Sequence, residues 1–140
     1  MNSFFFTSVS GWIALILVGI EIALPYLLQR NWLSVWLGIA QSFESPFLRR
    51  MSIHYWLGYL VAGLSFVHAW LPMQAGHMRR ANMAGLWLAT AALFLLGLQV
   101  ALGLALRDSD LQGRHVVRGW HYWVMVGVVL LLTGHVWLNG

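Results

Sequence analysis

Apolar residues dominate four long stretches of the chain, at about residues 10–28, 52–73, 83–106 and 119–138. Each is close to the ~20 residues that an α-helix needs to cross the hydrocarbon core of a bilayer. Charged residues collect between the stretches, as they do in the connections between membrane-spanning helices. No linker rich in glycine, proline and serine separates the stretches. The pattern predicts an all-α integral membrane protein, with one four-helix bundle over residues 1–140.

A shorter pattern lies between the first two stretches. In residues 31–46, apolar side chains recur at roughly helical spacing, but the segment is too short to cross a bilayer. Two interpretations are open at this point. The segment forms a helix that lies along the membrane surface, or it is an ordinary loop packed on the bundle.

Composition narrows the chemistry that the chain can perform. The sequence is 60% hydrophobic and 9% charged, so lipid must solvate much of its surface. It has no cysteine, which excludes thiolate-bound iron–sulfur clusters, disulfides and covalently attached c-type haem. No Walker, Rossmann or flavin-binding fingerprint is present. The net charge of +4 comes from arginines in the connections, which indicates membrane topology and not a nucleic-acid partner.

The arginines are unevenly distributed among the connections. The positive-inside rule places the connections richer in arginine in the cytoplasm. These are the first and third connections, so both chain termini are expected outside, on the periplasmic side of a bacterial inner membrane or its organellar equivalent. The first and third connections carry Arg30, Arg49, Arg50, Arg107, Arg114 and Arg118, and the second carries Arg79 and Arg80.

Four of the six histidines fall inside the apolar stretches. His54 and His68 are fourteen positions apart on the second stretch, and His121 and His135 are fourteen positions apart on the fourth. Fourteen residues of α-helix return a side chain to within ~40° of its starting direction and advance it by ~21 Å. Each helix therefore presents two imidazoles on one face, one near each side of the membrane.

Alternate helices of such a bundle run parallel, so His54 is expected level with His121 and His68 level with His135. Two imidazoles at one depth are too few ligands for a tetrahedral zinc site, whereas a porphyrin supplies four nitrogens and leaves two axial positions. The sequence therefore predicts two non-covalent b-type haems, one on each pair. The alternative is that these histidines only form hydrogen bonds between helices.

Several other residues have two interpretations. A haem ligand needs its second ring nitrogen oriented, by a helical carbonyl or by a hydroxyl such as that of Ser65 or Thr133. Glu21, the only acid inside a stretch, has a quinone- or proton-linked role or makes a packing contact. His77 and His115 are interpreted as surface histidines, His115 alternatively in proton uptake. Four glycines give room to the porphyrin faces or allow close helix packing: Gly58, Gly63, Gly127 and Gly134.

Two segments resemble known haem-binding helices. LRRMSIHYWLG at residues 48–58, continuing to His68, resembles the first haem helix of the ferric reductase-like transmembrane family. RGWH at residues 118–121, continuing to His135, resembles that family's second haem helix. The four-helix haem core of cytochrome b in quinol-oxidising complexes is similar too, although its polarity in the membrane would be the opposite. The resemblance covers about residues 25–140 and implies haem ligation by His54, His68, His121 and His135, without implying a substrate.

Three functions are compatible with these features. The first is an electron-transfer subunit of a respiratory or photosynthetic oxidoreductase complex. It would exchange electrons with a flavin, iron–sulfur or cytochrome c subunit, or with membrane quinone. The second is a self-standing membrane reductase of ferric ion or oxygen. The third is a non-redox anchor or assembly protein. The first is the leading prediction.

Overall fold

A computed structural model describes residues 3–29, 46–74, 82–108 and 112–139. These residues form four helices: α1 (Ser3–Gln29), α2 (Pro46–Gln74), α3 (Met83–Ala105) and α4 (Arg114–Asn139). Each contains a segment long and apolar enough to cross a membrane, namely Phe6–Pro25, Met51–Gln74, Met83–Ala105 and Arg114–Asn139. The all-helical architecture with four candidate spans is therefore confirmed. The predicted surface helix or loop at residues 31–46 lies outside the described residues, except for Pro46, which begins α2.

Local signals fix where the helices begin. Asn82 precedes α3, and its side-chain oxygen accepts a hydrogen bond from the backbone N–H of Ala84 at 2.9 Å, which is an N-cap. Gly113 precedes α4 with a φ of 72°, a conformation that glycine adopts without strain. Its carbonyl accepts the N–H of Val116 at 2.8 Å. Helix α4 consequently starts at Arg114, five residues before the apolar stretch.

The helices pack as two antiparallel hairpins. Helix α1 lies along α2, and α3 lies along α4, while α2 and α3 touch over a smaller area. A Cβ at Gly134 would lie 2.8 Å from Leu88 Cδ1, and one at Gly127 would lie 3.1 Å from Leu95 Cδ1. These two glycines therefore serve close packing of α3 on α4, the second of their two interpretations.

Few apolar side chains are buried within the chain itself. Val61 is the only large side chain among the described residues that is fully buried, whereas Trp137 is 87% exposed and Phe94 is 77% exposed. Apolar surface of this kind is unfavourable in water and ordinary against lipid acyl chains. The small core also indicates that the two hairpins leave space between them.

Candidate functional site

The structure brings the four intramembrane histidines together in two pairs. The ring centres of His54 and His121 lie 6.3 Å apart, and those of His68 and His135 lie 6.5 Å apart. The ring planes cross at 78° and 77°. We call His68 and His135 the terminal-side pair, because they lie near the start of α1 and the end of α4, and His54 and His121 the loop-side pair. The pairing follows the register that the sequence predicts.

Backbone carbonyls hold both rings of the terminal-side pair. Nδ1 of His68 donates to the carbonyl oxygen of Thr7 at 3.0 Å, and Nδ1 of His135 donates to that of Gly85 at 2.9 Å. Since a carbonyl oxygen only accepts, each Nδ1 carries the proton and each Nε2 keeps its lone pair. This is the tautomer in which histidine binds a metal through Nε2.

The orienting groups are partly those expected from the sequence. A helical carbonyl was one of the two options, and the structure shows it for both rings. The hydroxyl near His68 is that of Ser10, 3.2 Å from Nδ1, and not that of Ser65. Thr133 donates to the carbonyl of Val129 in its own helix at 2.8 Å, so it does not orient His135.

A large cavity lies beside the terminal-side pair. It measures about 980 Å³ and is lined by residues of all four helices, including both histidines. Ligand pockets in proteins occupy roughly 300–1,000 Å³, so a group as large as a porphyrin fits its volume. Small side chains widen it on opposite walls, since Gly11 and Ala14 line it from α1 and Ala89 and Ala92 from α3.

Gly11 also lies directly against the ring of His68. A Cβ at this position would lie 2.7 Å from Cε1 of His68. The absence of a side chain on α1 therefore allows the imidazole to occupy its place between α1 and the cavity. The sequence alone does not distinguish Gly11, because a glycine in an apolar helix is equally typical of helix packing.

The loop-side pair is more tightly enclosed. The cavity beside it measures about 30 Å³ and is also lined by Glu21, Tyr55 and Gln99. The side-chain amide nitrogen of Gln99 donates to Nε2 of His121 at 3.2 Å. Within the described part of the chain, Nδ1 of His54 and Nδ1 of His121 are buried without a hydrogen-bond partner. The loop-side pair therefore lacks the oriented rings and the large cavity of the terminal-side pair.

Glu21 lies beside one of the histidines, a position that the sequence alone does not indicate. Its Oε1 is 4.0 Å from Nδ1 of His54, so a carboxyl group accompanies the loop-side pair. A Cβ at Gly58 would lie 2.7 Å from the same oxygen, so Gly58 makes room for the carboxyl group. At Gly63, the other glycine considered on this helix, a Cβ would meet no atom within 4 Å.

In each hairpin, the two helices are aligned in the same way at both histidine pairs. On α1, Thr7 and Glu21 are fourteen positions apart, the same interval that separates His68 from His54 on α2. On α3, Gly85 and Gln99 are fourteen positions apart, like His135 and His121 on α4. Antiparallel helices of equal rise keep such pairs aligned. Each intramembrane histidine therefore faces a residue of the neighbouring helix. The pairs are His68 with Thr7, His54 with Glu21, His135 with Gly85 and His121 with Gln99.

The donor set fits two axial ligands better than a bare metal ion. Across the described residues, no group of three or more histidine, cysteine or acidic side chains is placed to hold a metal. Each level therefore offers two imidazoles, which would suffice for a metal group that brings its other ligands with it, as a porphyrin does.

The remaining histidines lie away from the pairs. His115 is exposed at the start of α4, as expected of a surface histidine. His77 lies outside the described residues. Comparison of the chain with protein-family models, with curated proteins and with solved structures gives no match. The geometry of the histidine pairs is accordingly the feature that bears on function.

Proposed function

We propose that the chain is a di-haem b-type cytochrome, the membrane subunit through which an oxidoreductase complex moves electrons across the bilayer. The observation that carries the proposal is the terminal-side pair, in which both Nδ1 atoms are held by carbonyls and both rings border a cavity of about 980 Å³. Structural histidines that only bond helices together need no such cavity beside them.

The residues of the terminal-side level would hold the cofactor in three ways. His68 and His135 would bind it through Nε2, and the carbonyls of Thr7 and Gly85, which fix the two rings, would make those nitrogens more basic. The apolar walls exclude water, which favours a largely apolar macrocycle and influences its reduction potential.

The loop-side level holds the second haem only after a local rearrangement. Gln99 must release Nε2 of His121, and the cavity of about 30 Å³ must widen. Widening requires the two hairpins to move apart, which the small contact area between α2 and α3 would permit.

The two levels then span the membrane. Fourteen residues of helix separate the two histidines of α2, or ~21 Å along the axis. A b-type haem, when bound, accepts and releases single electrons. The chain's own part is to hold one such group near each face of the bilayer and to keep water from both.

Electrons enter and leave through partners. We propose membrane quinone, or a flavin, iron–sulfur or cytochrome c subunit, as donor and acceptor. The surrounding membrane is proposed to be a bacterial inner membrane or its organellar equivalent, with the loop side in the cytoplasm. The arginine distribution of the sequence supports this orientation.

Vesicles test whether the chain conducts electrons. We expect the purified chain, reconstituted in liposomes that contain ascorbate, to reduce ferricyanide outside, whereas liposomes without protein do not. A His68→Ala/His135→Ala variant should conduct no faster than protein-free liposomes. Equal rates for the variant and the wild type would contradict the proposal. Sustained oxygen turnover by the chain with a donor alone would replace the subunit assignment with a self-standing reductase.

A further inference from the structure

We infer that Asn139 is a positioning residue for His135. It holds the first turn of α3 against the last turn of α4, so that the carbonyl of Gly85 stays opposite Nδ1 of His135. The inference rests on the proposed function, since His135 is one of the proposed haem ligands. It adds that a side chain outside the histidine pairs determines which ring nitrogen His135 offers to the large cavity. This effect can be measured on the chain without haem.

Helix α3 begins with a cap to which α4 contributes. The side-chain oxygen of Asn82 accepts hydrogen bonds from the backbone N–H of Ala84 at 2.9 Å and of Gly85 at 3.4 Å. The backbone N–H of Asn82 itself donates to Oδ1 of Asn139 at 2.7 Å. In a capping box, this last bond comes from the side chain of the third residue of the same helix. Here the third residue is Gly85, which has no side chain, and Asn139 of α4 supplies the acceptor.

The carboxamide of Asn139 occupies the space that a side chain at position 85 would take. Gly85 is buried, and a Cβ there would overlap Nδ2 of Asn139 and lie 2.8 Å from its Cγ. Among the residues that the structure describes, Nδ2 has no hydrogen-bond partner although it is buried. The position of Asn139 is therefore set by its bond to Asn82 and by its fit against Gly85, and not by a bond of Nδ2.

The same glycine holds the imidazole of His135. His135 precedes Asn139 by four residues on α4, so both side chains leave the helix on one face, one turn apart. Nδ1 of His135 donates to the carbonyl oxygen of Gly85 at 2.9 Å. Helix α4 thus contacts Gly85 twice, through His135 at its carbonyl and through Asn139 at its vacant side-chain position. A shift or rotation of the first turn of α3 would break both contacts together.

This arrangement links Asn139 to the tautomer of His135. A neutral imidazole carries one proton, and only the nitrogen without the proton can bind a metal. The carbonyl of Gly85 keeps the proton on Nδ1 and leaves Nε2 with its lone pair. When Asn139 no longer holds the start of α3, that hydrogen bond weakens and the proton can also occupy Nε2. His68 is held by Thr7 in the other hairpin and should keep its tautomer.

The test is nitrogen-15 NMR of the full chain, purified without haem, with labelled histidines in mildly alkaline buffer. The two ring nitrogens of a neutral imidazole then give signals that report which one is protonated. We expect the wild type to carry the His135 proton on Nδ1, with the signal assigned by its loss in His135→Gln. In Asn139→Ala the proton should be shared between Nδ1 and Nε2. The signals of His68 should not change, which also shows that the variant is folded.

A conservative variant separates positioning from bulk. Asn139→Asp has the same shape and keeps an acceptor for the N–H of Asn82, and its negative charge near the start of α3 is favourable. It should therefore retain the wild-type tautomer of His135. Loss of that tautomer in both Asn139→Asp and Asn139→Ala would contradict the role of the acceptor oxygen.

A further pair of variants displaces Asn139 without replacing it. Gly85→Ala places a methyl group in the space of the carboxamide and should change the tautomer of His135. Gly97→Ala, on the same helix where a Cβ meets no atom within 4 Å, should not. The double variant Gly85→Ala/Asn139→Ala should resemble Asn139→Ala alone, because the two substitutions disrupt one contact and are not additive.

Haem affinity should follow the tautomer. A His121→Ala background breaks the loop-side pair and leaves the terminal-side pair intact. In this background, Asn139→Ala should bind haemin about 10-fold more weakly, the lower end of the loss that removal of an orienting partner causes. If the wild type binds haemin and neither Asn139→Ala nor Gly85→Ala changes the tautomer of His135, the inference is overturned while the proposed function stands. If the wild type binds no haemin, the proposed function fails, and the NMR result still decides the role of Asn139.

Discussion

The carbonyl oxygen of Gly85 on α3 accepts a hydrogen bond from Nδ1 of His135 on α4 at 2.9 Å. Thr7 on α1 does the same for His68 on α2 at 3.0 Å. In both hairpins, a backbone carbonyl of the first helix thus orients a histidine of the second helix, although the two sequences differ. A ring that is fixed at Nδ1 by its neighbouring helix presents Nε2 to whatever lies between the hairpins.

Single histidine substitutions should remove one haem at a time. Loss of one axial ligand deletes half of the protein coordination at that level and none at the other. We expect His68→Ala and His135→Ala to lose the terminal-side haem, and His54→Ala and His121→Ala the loop-side haem. Haem content measured as pyridine haemochrome per chain should fall by about half in each case. Retention of both haems in His54→Ala would contradict the assignment.

Gly11 should be sensitive to the smallest added side chain. In Gly11→Ala the new methyl group would meet Cε1 of His68 at 2.7 Å, and overpacking of this kind costs about 1–3 kcal/mol. We expect the terminal-side haem to dissociate roughly 5–150-fold more readily, measured by transfer to apomyoglobin. Gly19→Ala, on the same helix with no atom within 4 Å of the new Cβ, is the matched control. Equal sensitivity of both variants would argue that helix stability alone is affected.

A large side chain introduced into the cavity between the hairpins should prevent haem binding there. Ala89 lines it, whereas Ala91 is exposed on the outside of α3. A phenylalanine at position 89 occupies space that the terminal-side haem needs, so Ala89→Phe should lose that haem and keep the other. Ala91→Phe should keep both. The measurement is the absorbance of the Soret band relative to protein, and normal haem content in Ala89→Phe would show that the cavity is not the binding site.

The orientation in the membrane can be read from introduced cysteines, because the chain has none of its own. Gln112 is exposed in the loop before α4, and Met83 is 64% exposed at the start of α3 on the terminal side. The positive-inside rule predicts that the α1–α2 and α3–α4 connections face the cytoplasm. We expect an impermeant maleimide to label Met83→Cys in intact cells and Gln112→Cys only after lysis. The reverse pattern would give the protein the opposite polarity.

The helices and the pairing of the histidines could be predicted from the sequence. Apolar runs of spanning length are a strong signal, and an interval of fourteen residues determines both the face and the depth of His54 and His68. The same interval on α4 then fixes which histidine meets which. The ends of the helices could be predicted less well, because polar residues such as Arg114 continue a helix beyond its apolar part.

The partners of the histidines could not be assigned in the same way. The carbonyls of Thr7 and Gly85 are backbone groups, which every residue carries, so side-chain type gives no signal for them. Glu21 and Gln99 stand out as polar residues within the apolar helices α1 and α3. Placing Glu21 beside His54, however, needs the relative register of α1 and α2, which only the packed hairpin determines.

The most direct test of the central claim is a reduced-minus-oxidised absorption spectrum of the purified wild-type chain, with haem quantified per polypeptide. Paired imidazoles at two levels should give the α-band of a six-coordinate b-type haem and two haems per chain. A colourless protein that takes up no haemin when it is supplied would contradict the account.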